Sequence, residues 1–202
     1  MRKYSFLFTL ISLIASFVSP PAASSQTSKK AEIKQIDRYV RSLNLMTKQK
    51  PLPDLIFADV SDYGKQKRRW KRFSSMRSLE KFRTETDIYN SANNWRKKGK
   101  IVVSVVTLSS PSGDWVKYLS IYFRSDGTLA KSESELRTFY GDFVADQDFY
   151  FDRKGKLLKK TLKYFDLATG KPTKPDDTYL TDNLSFVDEE NYYKTVTKLP
   201  FR

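Results

Sequence analysis

The chain contains no cysteine and no histidine. Without cysteine it has no disulfide framework, thiolate nucleophile, zinc finger or iron–sulfur cluster. Without histidine it has no His-based triad, zincin site or axial haem ligand. These two absences remove most familiar catalytic and cofactor chemistry. The expectation is a non-enzymatic protein with no cofactor and no metal. Long apolar runs are also missing after the N-terminus, where nothing approaches the ~20 residues that a membrane-spanning helix needs. A length of 202 residues fits one domain with a real hydrophobic core.

The segment 1–25 has the form of an export signal. Arg2 and Lys3 are a basic start, and Phe6 to Val18 is an apolar run. Pro20 and Pro21 break that run, and Ala22, Ala23, Ser24 and Ser25 are small residues suited to cleavage. The expected organisation is therefore a signal peptide over 1–25 and a single domain over 26–202. The expected location is periplasmic or secreted, with no transmembrane segment after cleavage. Export into a disulfide-permissive compartment without any cysteine suggests a bacterial protein.

Charge is unevenly placed. Residues 26–100 hold 20 basic and 8 acidic side chains, whereas residues 101–202 hold 15 of each. The net charge of the expected mature chain thus resides in its first part, which points to an anionic partner. The densest run is Lys65 to Arg72, where Lys65, Lys67, Arg68, Arg69, Lys71 and Arg72 surround Trp70. Such a segment can grip phosphate, sulfate or carboxylate groups while the indole packs on the ligand. The competing account is a solvated loop whose aromatics anchor it to the core. An anionic polymer or a membrane surface is the expected partner, and export argues against nucleic acid.

Glycine is scarce, and its placement is regular. Gly99, Gly113, Gly127, Gly141, Gly155 and Gly170 follow one another in equal steps, except that the last step is longer by one. Most stand beside Asp, Ser or Lys in hairpin-turn company. Six hairpins imply about seven antiparallel strands of roughly ten residues each, longer than the usual 5–6. Alternate turns echo one another, as in Trp95–Ile101 and Phe151–Leu157. A two-residue turn at Asp126-Gly127 sets Ile121 opposite Ser132 and Leu119 opposite Ser134 on one face. On the other face it sets Tyr122 opposite Lys131 and Tyr118 opposite Glu135. The first face is apolar or small and the second charged, as a half-buried sheet requires.

The apolar face needs a cover. Ile33, Ile36, Val40 and Leu43 recur at helical spacing within Lys29 to Leu45, so an N-terminal amphipathic helix is expected there. A shorter helix is expected from Ser75 to Phe82, and Pro172 and Pro175 weaken the last strand. The fold class is α+β and β-rich: a long up-and-down meander, as a curved sheet or partly open barrel, covered by that helix. Asp146, Asp148 and Asp152 share the charged face and are read as cross-strand ion-pair partners rather than a metal site. Tyr118, Tyr122 and Tyr150 are placed on the same face, where they either stack on a ligand or simply cover their neighbours.

The functional expectation is an exported binding module that contacts an anionic envelope or extracellular partner through its basic segment. The alternative is a periplasmic carrier holding an apolar or lipid ligand between sheet and helix, in a pocket built from Trp95, Trp115, Phe123, Phe149 and Phe151.

Overall fold

The computed structural model describes residues 23–62, 68–176 and 195–202. Eight strands form one antiparallel sheet: β1 (Leu55–Asp59), β2 (Trp70–Phe73), β3 (Asn90–Lys97), β4 (Lys100–Ser109), β5 (Trp115–Phe123), β6 (Leu129–Thr138), β7 (Phe143–Phe151) and β8 (Leu157–Asp166). Their order is β2-β1-β3-β4-β5-β6-β7-β8, so β3 to β8 are the expected meander and β2 and β8 are the two edges. The sheet is open. Helix α1 (Ala23–Gln49) precedes it and α2 (Met76–Arg83) lies between β2 and β3.

The glycine turns fall where their spacing puts them. All six have positive φ, from 66° to 92°. Gly99, Gly127 and Gly155 turn at one end of the meander, and Gly113 and Gly141 turn at the other. The registers Ile121↔Ser132, Leu119↔Ser134, Tyr122↔Lys131 and Tyr118↔Glu135 all occur. The turns themselves are larger than the two-residue type. Gly127 donates its N–H to the Arg124 carbonyl, and Arg124 donates to Thr128. The extra residue is absorbed by a bulge that sets Phe123 against Leu129 instead of Ala130. The turn at Gly155 repeats this, with Phe151 opposite Leu157.

Those bulges change which residues meet α1. Residues just past each turn swap faces, and Ala130 and Leu158 join Val102, Val103, Tyr122 and Tyr150 in the cluster that holds Ile36, Val40 and Leu43. The helix thus packs on the face that the alternation assigned to solvent. It crosses the strands near the Gly99, Gly127 and Gly155 turns, where Tyr39 Oη donates to the Phe123 carbonyl and Trp95 Nε1 to the Lys50 carbonyl. The opposite, apolar face carries Leu119, Ile121, Phe123, Phe149 and Phe151. It is closed by Leu199 and Phe201 from the segment 195–202. The expected pairing of helix with apolar face is corrected here: that face is already filled from the far end of the chain.

The sequence also understated the sheet at one edge and overstated it at the other. Leu55 to Asp59 is buried throughout, because Ile56 and Ala58 pack under Leu79 of α2 while Leu55 and Phe57 join the apolar face. A strand buried on both sides shows no alternation to read. Past Gly170, β8 keeps one isolated bridge to the described residues that follow it, Phe165 to Pro172. Proline lacks the N–H that a further ladder would need. Helix α2 matches expectation closely: Ser75 caps it, accepting from Ser78 N–H, while the Ser78 hydroxyl accepts from Ser75 N–H.

Candidate functional site

Lys65 and Lys67 lie outside the described residues; the rest of the basic run forms the edge strand β2 and its approach. Arg68, Arg69, Lys71 and Arg72 are exposed. The run is fixed to the sheet by Asp59 on β1, whose Oδ1 accepts from Arg69 N–H at 3.0 Å, Ser61 N–H at 3.0 Å and the Ser61 hydroxyl at 2.6 Å. Asn90 Nδ2 donates to the other oxygen at 3.2 Å. Burial by itself would raise the Asp59 pKa. The donors from Ser61, Asn90 and Arg69 outweigh it and hold the carboxyl below the usual carboxylate range.

Strand alternation then divides the run. Trp70 turns to the apolar face, with its ring 4.5 Å from that of Phe201. Its position, half-buried against the apolar face, matches the anchoring account. Lys71 turns to the other face and lies over Phe82 at 4.2 Å and Phe73 at 5.4 Å. Lys71, Arg72 and Lys81, with the Ser74 and Ser78 hydroxyls, Phe82 and Glu85, line a shallow cavity of about 460 Å³. Three cations around one depression suit an oxyanion chemically, while the Ser74 and Ser78 hydroxyls are engaged within the helix cap and Glu85 adds one opposing charge.

The five aromatics of the expected apolar pocket do not converge. Trp95 packs with α1 on the helix face. Trp115, Phe123, Phe149 and Phe151 belong to the opposite face, under Leu199 and Phe201. The sheet itself separates the first from the other four, because side chains alternate in direction along each strand. A ligand held between α1 and the sheet would meet Trp95 alone.

The three tyrosines are also divided. Tyr122 and Tyr150 are buried beneath α1, while Tyr118 is 43% exposed. Tyr150 Oη donates to Asp37 of the helix at 2.9 Å, and Tyr122 Oη to Glu133 at 3.0 Å. Burial and the Glu133 carboxylate both push the Tyr122 hydroxyl pKa up, so it remains a donor. Lys131 is buried and bridges Glu133 at 2.6 Å and Asp148 at 3.3 Å. Burial opposes its charge, but the bonds to Glu133 and Tyr150 and the charges of Glu133 and Asp148 raise its pKa.

Beyond α1, the uncovered half of that face is a groove of about 430 Å³ lined by Tyr118, Glu133, Glu135, Asp146, Asp148 and Lys163 among others. Asp146 stands directly across from Glu135 on one side and Lys163 on the other. The pairing with Lys163 was legible in the sequence. The facing Glu135 was not, because it depends on the β6–β7 register. Burial, then Glu135 and Asp148, raise the Asp146 pKa. A carboxyl whose folded pKa is raised contributes stability below its unfolded value and loses it as pH climbs through the folded one. At neutral pH the ionised Asp146 is therefore a net cost. Asp146→Asn is expected to stabilise the fold at pH 7 by a few tenths of a kcal/mol, the scale of cross-strand charge pairs. The gain should vanish below pH ~4, where the wild-type carboxyl is itself neutral. Thermal scans at both pH values check this, and a loss at pH 7 would make Asp146 an ion-pair partner first.

No protein-family model matches this chain, and neither a curated protein nor a solved structure is similar to it.

Proposed function

We propose that the protein is a non-enzymatic, exported binding module that contacts an anionic envelope or extracellular partner through its basic surface. The observation that supports this reading most is the charge partition: in the expected mature chain, the excess of cations belongs entirely to residues before 101. Concentrated like charge is self-repelling and costs stability, so its retention calls for a compensating use. The exposed cations Arg68, Arg69, Lys71 and Arg72 around the β2 edge are consistent with that use. They also suit an edge strand, where charge prevents pairing with another chain.

The test is retention on heparin and on anionic vesicles. Binding is expected at ~0.1 M salt and lost near 1 M, as the screening length falls from ~10 Å to ~3 Å. Replacing Lys67, Arg68, Arg69 and Arg72 by Gln should lower retention and leave the thermal midpoint nearly unchanged, since exposed charges contribute little to folding. A variant retained as well as wild type would remove this segment from the contact. Wild-type protein that binds neither matrix would overturn the reading.

A further inference from the structure

The solvent ridge of helix α1 carries charge of one sign. With Ile36, Val40 and Leu43 buried against the sheet, positions 34, 38, 41, 45 and 48 form the opposite ridge. They are Lys34, Arg38, Arg41, Leu45 and Lys48, all exposed. The row from Lys34 to Lys48 is about 21 Å long at ~1.5 Å per residue. The two acids of the helix lie elsewhere. Asp37 faces the sheet side and accepts from Tyr150 Oη, and Glu32 lines a crevice with Tyr39, Arg124 and Arg153. An ordinary solvated helix intersperses acids and bases one turn apart, because that spacing is favourable for opposite charges and unfavourable for like ones. Here Lys34 and Arg38 stand at the repulsive spacing, and the acid nearest the ridge, Asp37, one turn from Lys34 and Arg41, is engaged by the Tyr150 hydroxyl on the sheet side.

The second helix repeats the arrangement. Leu79 of α2 is buried on the same face of the sheet, and Arg77 and Lys81 stand on the exposed side. Both outer ridges therefore point to the same side of the molecule. The topology thus gathers cations from two distant stretches of sequence onto one face. Two leucines near the end of α1 are also left in solvent. Leu45, within the ridge, is 60% exposed, and Leu52, just past the helix, is 69% exposed. Exposed leucines add nothing to the capture of a soluble polyanion, but at a lipid surface they can enter the headgroup boundary while the cations meet phosphates.

We propose that the ridge of α1, Lys34, Arg38, Arg41 and Lys48 with Leu45, is the surface by which the protein docks on an anionic lipid bilayer. This rests on the reading of the protein as an anion-contacting module, and it moves the principal contact from the β2 edge to the helix. Cations close to an anionic bilayer act nearly additively, which makes a row of four a strong contact at low salt and a weak one at high salt. A straight row on a helix laid flat against a sheet suits a planar partner.

The experiment uses the expected mature chain, residues 26–202, which keeps the whole ridge and removes the apolar run Phe6 to Val18, and three variants, each checked by its thermal midpoint. One replaces Lys34, Arg38, Arg41 and Lys48 by Gln; one replaces Lys67, Arg68, Arg69 and Arg72 by Gln; one is Leu45→Ser. Co-sedimentation is measured with vesicles of phosphatidylglycerol and phosphatidylcholine, and retention on heparin in parallel. The helix variant is expected to lose vesicle affinity by on the order of 1,000-fold at low salt, and far more than the β2 variant, which removes the same charge. Leu45→Ser should weaken vesicle binding and leave heparin retention unchanged. If wild type binds vesicles and the helix variant binds no more weakly than the β2 variant, the docking surface is refuted while the module reading stands. Equal losses on heparin and vesicles with a silent Leu45→Ser would identify a polymer contact and refute the bilayer. Absence of wild-type binding to either would end both readings.

Discussion

Phe201→Ala is expected to remove about 3–5 kcal/mol of folding free energy, the usual cost of deleting a fully buried phenylalanine. Phe201 has no exposed surface, and its ring lies 6.2 Å from that of Phe57 and 4.5 Å from that of Trp70. It closes the apolar face together with Leu199, which is also buried. The segment is tethered at the β5–β6 turn. Val196 donates its N–H to the Gly127 carbonyl at 2.9 Å, and Thr195 bridges Thr128. Gly127 is needed twice there: its φ is +86°, and a Cβ would come within 3.1 Å of Val196 Cγ1. Against a typical total of about 5–15 kcal/mol, the loss would leave the domain marginal. Urea titration followed by tryptophan fluorescence measures it, since Trp70 packs on the deleted ring. A cost below about 1 kcal/mol would mean that the segment rests loosely on the sheet and that the apolar face is not held closed by Phe201.

The role of Phe201 could not be read from local pattern, because its partners Phe57 and Trp70 belong to the first two strands, at the other end of the chain. What was legible were the features with a local cause. Evenly spaced glycine marks a positive φ at every turn, and turn spacing fixes strand length and register. The capping serine of α2 was legible for the same reason. The side on which α1 docks was not. Alternation sorts residues into two faces, yet it ranks Tyr122 and Tyr150 as outward because they sit among charged neighbours. Their rings are in fact covered by the helix, and their hydroxyls reach Asp37 and Glu133. A tyrosine satisfies both descriptions, apolar body and polar tip.

The candidate site divides along the same line. The basic run is conspicuous as a run, whereas the ridge of α1 is dispersed from Lys34 to Lys48 and emerges only when the buried residues fix the helix orientation. The signal is present in the i, i+4, i+7 spacing of Lys34, Arg38 and Arg41. Without the orientation, those residues add only to a charge count. The network of Lys131, Glu133 and Asp148 is likewise visible in the sequence as separate cross-strand pairs. The burial of Lys131 between them is not, and this alters one expectation. Glu133 on an open face would tolerate reversal to lysine. Against buried Lys131 and the Tyr122 hydroxyl, reversal would leave a buried cation with a second cation beside it.

Register is tested most sharply by two neighbouring lysines. Ile121→Lys is expected to cost at least about 4 kcal/mol, because it buries a charge without a partner. Ile121 is 1% exposed and sits between Ser104 on β4 and Ser132 on β6, in the cluster with Leu119, Phe123 and Phe149. The two serine hydroxyls have no hydrogen-bond partner among the described residues. They could accept from an ammonium group, but neither carries the negative charge needed to offset its desolvation. Ser120→Lys, at the preceding position, should lie within about 1 kcal/mol of wild type, the range of cross-strand pairs. It enters the open groove and stands directly across from Glu133, an opposite charge. The two substitutions add the same charge at adjacent positions of one strand, so unfolded-state charge effects nearly cancel, and the loss of isoleucine's strand preference is worth only about 1 kcal/mol. Chemical denaturation of both variants gives the comparison directly. A reversed order of stability would shift β5 by one position, and every face assignment built on it would change sides.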